Sequence, residues 1–294
     1  MKFDSYHPFI NFIYFVAAVL CIAFFHHPIF LAIGYVAAFL WSVKLNGKKS
    51  LILNLCLIPV IAFYTWWFSF YNHFGVTILG YNFIDNQITL EAIVVGFVRG
   101  VMAAAIVMEF TCIFKIVTAD KIVYLLGKIS PYLSLFLSIL LRFIPRIIDW
   151  AKKTNRARCG VGQGINQGNI FQRLWHLIKV ISVTLTWTIE HLVESAASMK
   201  SRGYSLKGRK AFSIYRFDNR DRSILLVLIA CIAIILLANS AGETNILYEP
   251  MIIMEPITGM SVLFYVVYAA FLLLPLVLQL AGEWKFKRLQ QMSI

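Results

Sequence analysis

Apolar residues gather in six long runs along the chain: Phe9–Phe25, Pro28–Val43, Leu51–Tyr71, Ala92–Phe114, Ser223–Ala238 and Ser261–Ala281. A helix needs about 20 predominantly apolar residues to cross the hydrocarbon core of a bilayer, with a working range of about 17–25. Pro28–Val43 and Ser223–Ala238 fall just under that range, but Lys44 and Arg222 beside them can snorkel to the interface. The pattern predicts an all-α polytopic membrane protein with about six transmembrane helices.

The polar segments between the runs alternate in charge. Lys44, Lys48 and Lys49 follow the second run, and Lys285, Lys287 and Arg288 follow the sixth. The segment after the third run holds Asp85 and Glu91, and the one after the fifth holds Glu243, Glu249 and Glu255; neither contains Lys or Arg. Cytoplasmic loops carry the excess of Lys and Arg, so six spans leave both termini in the cytoplasm.

The stretch from Ala119 to Arg222 is the most basic of all. It carries 18 Lys and Arg against 6 Asp and Glu, twelve of the thirteen net positive charges in the chain. Two further apolar stretches lie inside it, Pro131–Ile148 and Leu177–Val193. Were both to cross, Lys152, Lys153, Arg156, Arg158 and Arg173 would all face outside, against the charge rule. Arg142 and Arg146 also flank Pro145 within the first, and a central Arg costs about 2.5–3.5 kcal/mol on insertion scales. Both are therefore expected as long amphipathic helices at the cytoplasmic surface. Arg142, Arg146, Asp149, Lys153 and Arg156 recur at helical spacing as one polar stripe, as do Thr184, Thr188, His191, Ser195, Ser198 and Arg202. The apolar faces opposite these stripes need a partner. Three regions follow: 1–118 with four spans, 119–222 with the cytoplasmic-side helices, and 223–294 with two spans.

Composition agrees with this division. Of 294 residues 60% are hydrophobic and only 14% charged, with a mean hydropathy of +0.76, whereas a soluble domain carries about 25% charged residues. Cys21, Cys56, Cys112, Cys159 and Cys231 form no CxxC pair, so neither a zinc site nor a disulfide framework is indicated. The first run lacks a cleavage site of small residues and reads as a retained helix.

Each long amphipathic helix finishes on a small–Arg–small triplet, Ala157-Arg158-Cys159 before Gly160 and Ser201-Arg202-Gly203, 44 positions apart. Glycine there suits a helix C-terminus, and the cation complements the negative end of the helix dipole. Small neighbours leave the guanidinium unshielded. Arg stays charged when desolvated and pairs carboxylates in a bidentate manner. The plainer reading is helix capping and contact with lipid phosphates. The run Gly160-Val161-Gly162-Gln163-Gly164 lacks the GxxxxGK[ST] pattern of a nucleotide-binding loop, and no strand precedes it.

Arg99 and Glu109 lie within the fourth run, about 15 Å apart along a helix, too far to pair with each other. Snorkelling or interhelical hydrogen bonding is the bland reading, a proton or solute path the sharper one. His26-His27 reads as a solvated outer loop. The aromatic cluster from Tyr64 to Tyr71 reads as an interfacial belt.

With these features in hand, the sequence resembles the transmembrane coupling (T) component of energy-coupling factor (ECF) transporters. The likeness rests on Leu141-Arg142-Phe143-Ile144-Pro145 as a helix entry, on Ala157-Arg158-Cys159 and Ser201-Arg202-Gly203 as two Ala-Arg-small motifs, and on Tyr6-His7-Pro8 before an apolar helix. Cys159 and Ser201 depart from the usual residues but remain small. The resemblance implies a non-catalytic subunit of an ABC-type importer for vitamins, metals or other micronutrients in a prokaryotic plasma membrane. Two ATPase subunits, carrying ATP and Mg that this chain does not bind, would receive Arg158 and Arg202. Arg142 and Pro145 would support the coupling helices, and a substrate-binding membrane (S) subunit would be the other partner. An enzyme acting on lipid or prenyl substrates would need clustered acidic or His ligands, and a self-sufficient permease would need polar residues lining several spans. A nucleic-acid role is disfavoured because the aromatics of the basic region sit on its apolar faces.

Overall fold

The computed structural model describes residues 3–81, 87–204, 206, 215–244, 246–248, 251–254 and 256–292. Asp85, Glu249, Glu255 and the basic run 207–210, all used in the charge reading, lie outside the described residues. The order is α1 (Pro8–Phe24), α2 (Pro28–Asn46), α3 (Lys48–Tyr71), β1 (Ile78–Tyr81), β2 (Gln87–Thr89), α4 (Leu90–Ile116), α5 (Ala119–Ile129), α6 (Pro131–Gly160), α7 (Ile170–Ser201), α8 (Asn219–Ser240) and α9 (Gly259–Met292). The all-α expectation holds, with one antiparallel β1–β2 hairpin added between α3 and α4. The chain divides into two compact units, Met1–Thr118 with Tyr215–Ile294, and Ala119–Ile214.

The first unit is a bundle of α1–α4, α8 and α9. Its first two helices start alike: His7 before Pro8, and His27 before Pro28. Proline fits the first helical position because its missing N–H has no partner there. Each histidine caps the helix, with Nδ1 accepting from the N–H two residues on, Phe9 or Ile29, at 3.3 Å. His27 is buried, not solvated as the loop reading expected. Its backbone N–H donates to Thr244 O, and its ring packs on Phe30 and Tyr265.

The loop expected between the second and third spans shrinks to one residue. Lys44, Lys48 and Lys49 continue the helices, and only Gly47 turns, at φ 60°, where a side chain would be strained. At this end Ser50 Oγ donates to Ser42 Oγ (2.7 Å), Ser42 meets Thr111 (3.0 Å), and Lys44 pairs with Glu283 of α9 (2.7 Å). Further along, Gly96 and Gly100 of α4 form a GxxxG face against α3. A Cβ at Gly96 would stand 3.2 Å from the Thr65 backbone, and one at Gly100 3.1 Å from Ile61 Cγ2. Small residues allow this close approach where no hydrophobic effect drives helices together. The core gathers Trp41, Tyr14, Tyr268, Phe3, Phe30 and Phe271, all nearly inaccessible. Tyr14 Oη satisfies itself on Leu272 O at 2.9 Å.

Five helices of this unit, α2, α3, α4, α8 and α9, are long and apolar enough to cross a membrane; α1, with 17 residues, is at the lower limit. The protein is a multi-pass membrane protein. Helix α6 of the second unit also meets the length and apolarity needed for a span, through its N-terminal half; its second half carries the charged stripe.

The second unit is α5, α6 and α7. Pro131 opens α6, and an Asn169–Gln172 capping box opens α7. These two helices run 30 and 32 residues, yet α6 buries only Ser134, Phe143 and Thr154, and α7 only Val180 and Thr184. Phe171 is 86% exposed and Val193 65%.

Candidate functional site

The two arginine triplets lie at the ends of α6 and α7, and both ends close through the same backbone device. In α7, Gly203 at φ 77° bonds its N–H to Lys200 O, and Tyr204 N–H reaches back to Met199 O. In α6, Gly162, also at φ 77°, bonds to Cys159 O, and Gln163 N–H to Arg158 O. Both are Schellman closures, in which a left-handed glycine lets the chain satisfy the last carbonyls. The first glycine is thus Gly162, whereas the sequence pointed to Gly160, which is still helical. The correction shifts the register: Arg202 stands immediately before its glycine, and Arg158 four residues before.

The side chains differ accordingly. Arg158 is half-buried and held to the loop behind it, with Nη2 donating to Gln163 Oε1 (3.1 Å) and Nε to Gln163 O (3.4 Å). Arg202 is exposed, and its guanidinium makes no hydrogen bond or ion pair with a described residue. Ala157, Cys159 and Ser201 are exposed, so neither guanidinium has a bulky neighbour in its triplet. Neither arginine touches a carboxylate among the described residues.

The two helices meet where Trp150 of α6 stacks on His191 of α7, with ring centroids 4.6 Å apart and planes 17° from parallel. Phe143 lies edge-on against Trp150, and His191 Nδ1 is 3.3 Å from Glu194. Beyond this contact Arg158 lies eight residues on, about 12 Å, and Arg202 eleven residues on, about 16 Å. Sequence reasoning missed the pair. His191 was placed in the polar stripe of its helix, but a stack between residues 41 apart leaves no local signal.

Arg142 and Pro145 do not sit at a helix entry. They fall in the interior of α6, where Pro145 has no N–H to offer the carbonyl four residues back. Both are exposed. In the first unit, Arg99 is exposed with its guanidinium 4.9 Å above the Phe68 ring, a cation–π contact. Glu109 is buried, and its Oε2 has no hydrogen-bond partner among the described residues.

No family model matches the chain. Individual relatives do. The energy-coupling factor transporter transmembrane protein EcfT of Staphylococcus aureus (strain 04-02981) is 28% identical over 238 residues, covering 76% of this chain and 87% of that protein. The protein of the same name from Lactobacillus helveticus (strain DPC 4571) is 24% identical over 232 residues, covering 74% and 78%. With that of Bacillus selenitireducens (strain ATCC 700615 / DSM 15326 / MLS10) the match is 28% over 111 residues, 41% of the relative. Alignments with two of these run most of the length of both proteins, so the chain, with its polytopic helical fold and its pair of arginine-tipped helices, is similar over most of its length to transmembrane proteins of energy-coupling factor transporters.

Proposed function

We propose that this chain transmits the ATP-driven motion of two ATPase subunits to a substrate-binding membrane subunit during micronutrient uptake. One observation carries the reading: α6 and α7 meet at the Trp150–His191 stack and each runs past it to an arginine tip. Each tip enters a carboxylate-lined groove of one ATPase. A bidentate Arg–carboxylate pair fixes orientation as well as distance, which a force-bearing contact requires. The ATPases bind ATP and Mg; this chain performs no chemistry and supplies the lever.

The arm lengths suit that task. From the stack to the tips the arms are about 12 and 16 Å, and from the stack back to Pro131 and Ile170 they are about 28 and 31 Å. Closure of the ATPases that draws the tips together is therefore magnified about twofold at the far arms. Those arms present exposed apolar residues, among them Tyr132, Phe136, Phe171 and Trp175, and the membrane subunit docks there. Pro145 gives the longer side of α6 a place to bend.

The charge alternation supports a membrane protein with both termini in the cytoplasm and α6 and α7 at the cytoplasmic surface, and its bacterial relatives support a prokaryotic plasma membrane. Residues 119–222 form the coupling region between four N-terminal and two C-terminal spans. Reconstituted with its partners, the double variant Arg158→Glu/Arg202→Glu loses ATP-driven uptake to background, since truncating or reversing one partner of a buried charge pair costs about 2–5 kcal/mol at each interface. Normal uptake by that variant would end the proposal.

A further inference from the structure

The first unit contains a lateral groove that the coupling role does not use. Helices α2 and α3 diverge from the single-residue turn at Gly47, while α4 packs along both and forms the floor. The space between them has a volume of about 1060 Å³. Its walls are apolar: Val36, Ile58, Trp66 and Phe97 line it and are each more than half exposed. Of its polar lining groups, Tyr35 Oη donates to Asn54 Oδ1 (2.5 Å) and Thr65 Oγ1 to Ile61 O (2.8 Å), while Ser69 Oγ is buried without a hydrogen-bond partner among the described residues. Among the described residues no charged side chain lines it. Among the described lining residues a single unpaired hydroxyl, that of Ser69, stands against a wall of hydrocarbon, which favours an apolar occupant over a polar solute.

Shape narrows the occupant further. Along α3 the groove runs from Ile58 to Phe70, about 18 Å, close to the roughly 15 Å thickness of one leaflet's hydrocarbon. At the Gly47 end the slot is blind, because the turn and the Tyr35–Asn54 bond bring α2 and α3 together. A transmembrane helix of a partner would have to continue through that closed end. A hydrocarbon chain hanging from a headgroup at the opposite membrane surface would not.

We infer that the groove between α2, α3 and α4 seats acyl chains of a phospholipid from the leaflet opposite the Gly47 turn, held as a bound lipid. The chain fills a wedge that α2 and α3 leave empty, since the GxxxG contact fastens α3 to α4 along one edge only. This requires only that the first unit is embedded in a membrane and stands apart from the ATPase reading.

The test is phospholipid content of the full chain after prolonged detergent exchange, read by mass spectrometry. The wild type retains phospholipid in stoichiometric amount. Ala62→Trp, which fills the groove, loses most of it, while Leu226→Trp, on the exposed face of α8, keeps it. A second measurement needs no groove-filling variant. In vesicles of phosphatidylcholine diluted with a minor fraction carrying chain-brominated tails, quenching of wild-type tryptophan fluorescence exceeds that of Trp66→Phe, and the excess persists as the brominated fraction falls. Loss of phospholipid from the wild type, equal retention by both tryptophan variants, or no excess quenching would overturn the inference. So would a photo-crosslinker at position 62 that captures a partner's helix instead of lipid in the assembled complex.

Discussion

The two units of this protein solve the same problem, the disposal of apolar helix surface, in opposite ways. The first buries Trp41, Tyr14, Phe30 and Tyr268 in its own core and stitches its helices together with Tyr14–Leu272, Ser42–Thr111 and Lys44–Glu283. The second holds two helices of 30 residues or more that bury five side chains between them and meet around the Trp150–His191 stack. A helix pair that exposes Phe171, Trp175, Leu185 and Val193 is unfinished by itself. The contrast teaches that the first unit has a packed aromatic core of its own, whereas no comparable core fixes the geometry of the second.

That contrast can be broken from the side of the first unit. Gly96→Leu forces a side chain against the Thr65 backbone, which cannot yield as a flexible side chain would. Overpacking of this kind costs about 1–3 kcal/mol, and the thermal midpoint of the purified chain falls accordingly. Gly203→Ala, by comparison, strains only the end of α7 and leaves that midpoint nearly unchanged.

From the lever side, Trp150→Ala removes an aromatic contact worth about 0.5–1.5 kcal/mol, a modest loss of stability. Its effect on coupling is larger than on folding: ATPase subunits still bind, but uptake per ATP hydrolysed drops several-fold. His191→Phe preserves the stack and restores uptake, which distinguishes a positioning role from general destabilisation. Equal uptake in wild type and Trp150→Ala would show that the helices do not pivot there.

The smallest effect concerns the His27 cap. Burial holds its imidazole below the ordinary value, with nearby Glu243 opposing the shift. The folded state therefore disfavours the protonated ring. Stability is full above the ordinary value of about 6.5 and is lost as pH falls below it and through the lowered folded value. Protonation at Nδ1 also removes the acceptor for Ile29 N–H, and a lost cap costs about 1 kcal/mol. In a melting series from neutral to acidic pH, His27→Asn, which keeps a capping acceptor, shows a shallower decline than wild type.

The helical membrane fold was legible in the sequence because a bilayer crossing demands long apolar runs, and those runs stand out against the polar segments. The arginine tips were legible too, as small–Arg–small triplets before glycine. What escaped was whatever depended on distant residues or on backbone closure. Gly162 rather than Gly160 ends α6, a choice between two nearby glycines that only the hydrogen bonds to Arg158 and Cys159 decide. The lysines around Gly47 looked like a loop because charge usually marks one, yet lysine is a good helix former and only the glycine had to turn. His27 read as solvated although Pro28 after it marked a helix start. The Trp150–His191 contact joins two helices across 41 residues and has no local signature.

The account rests on Arg158 and Arg202 each holding one ATPase subunit, and the composition of the assembled complex, weighed intact by native mass spectrometry, tests this most directly. Two ATPase subunits per copy of this chain are expected for the wild type, one for either single Arg→Glu variant, and none for the double variant, with the substrate-binding subunit still attached. Two ATPase subunits retained by the double variant would contradict it.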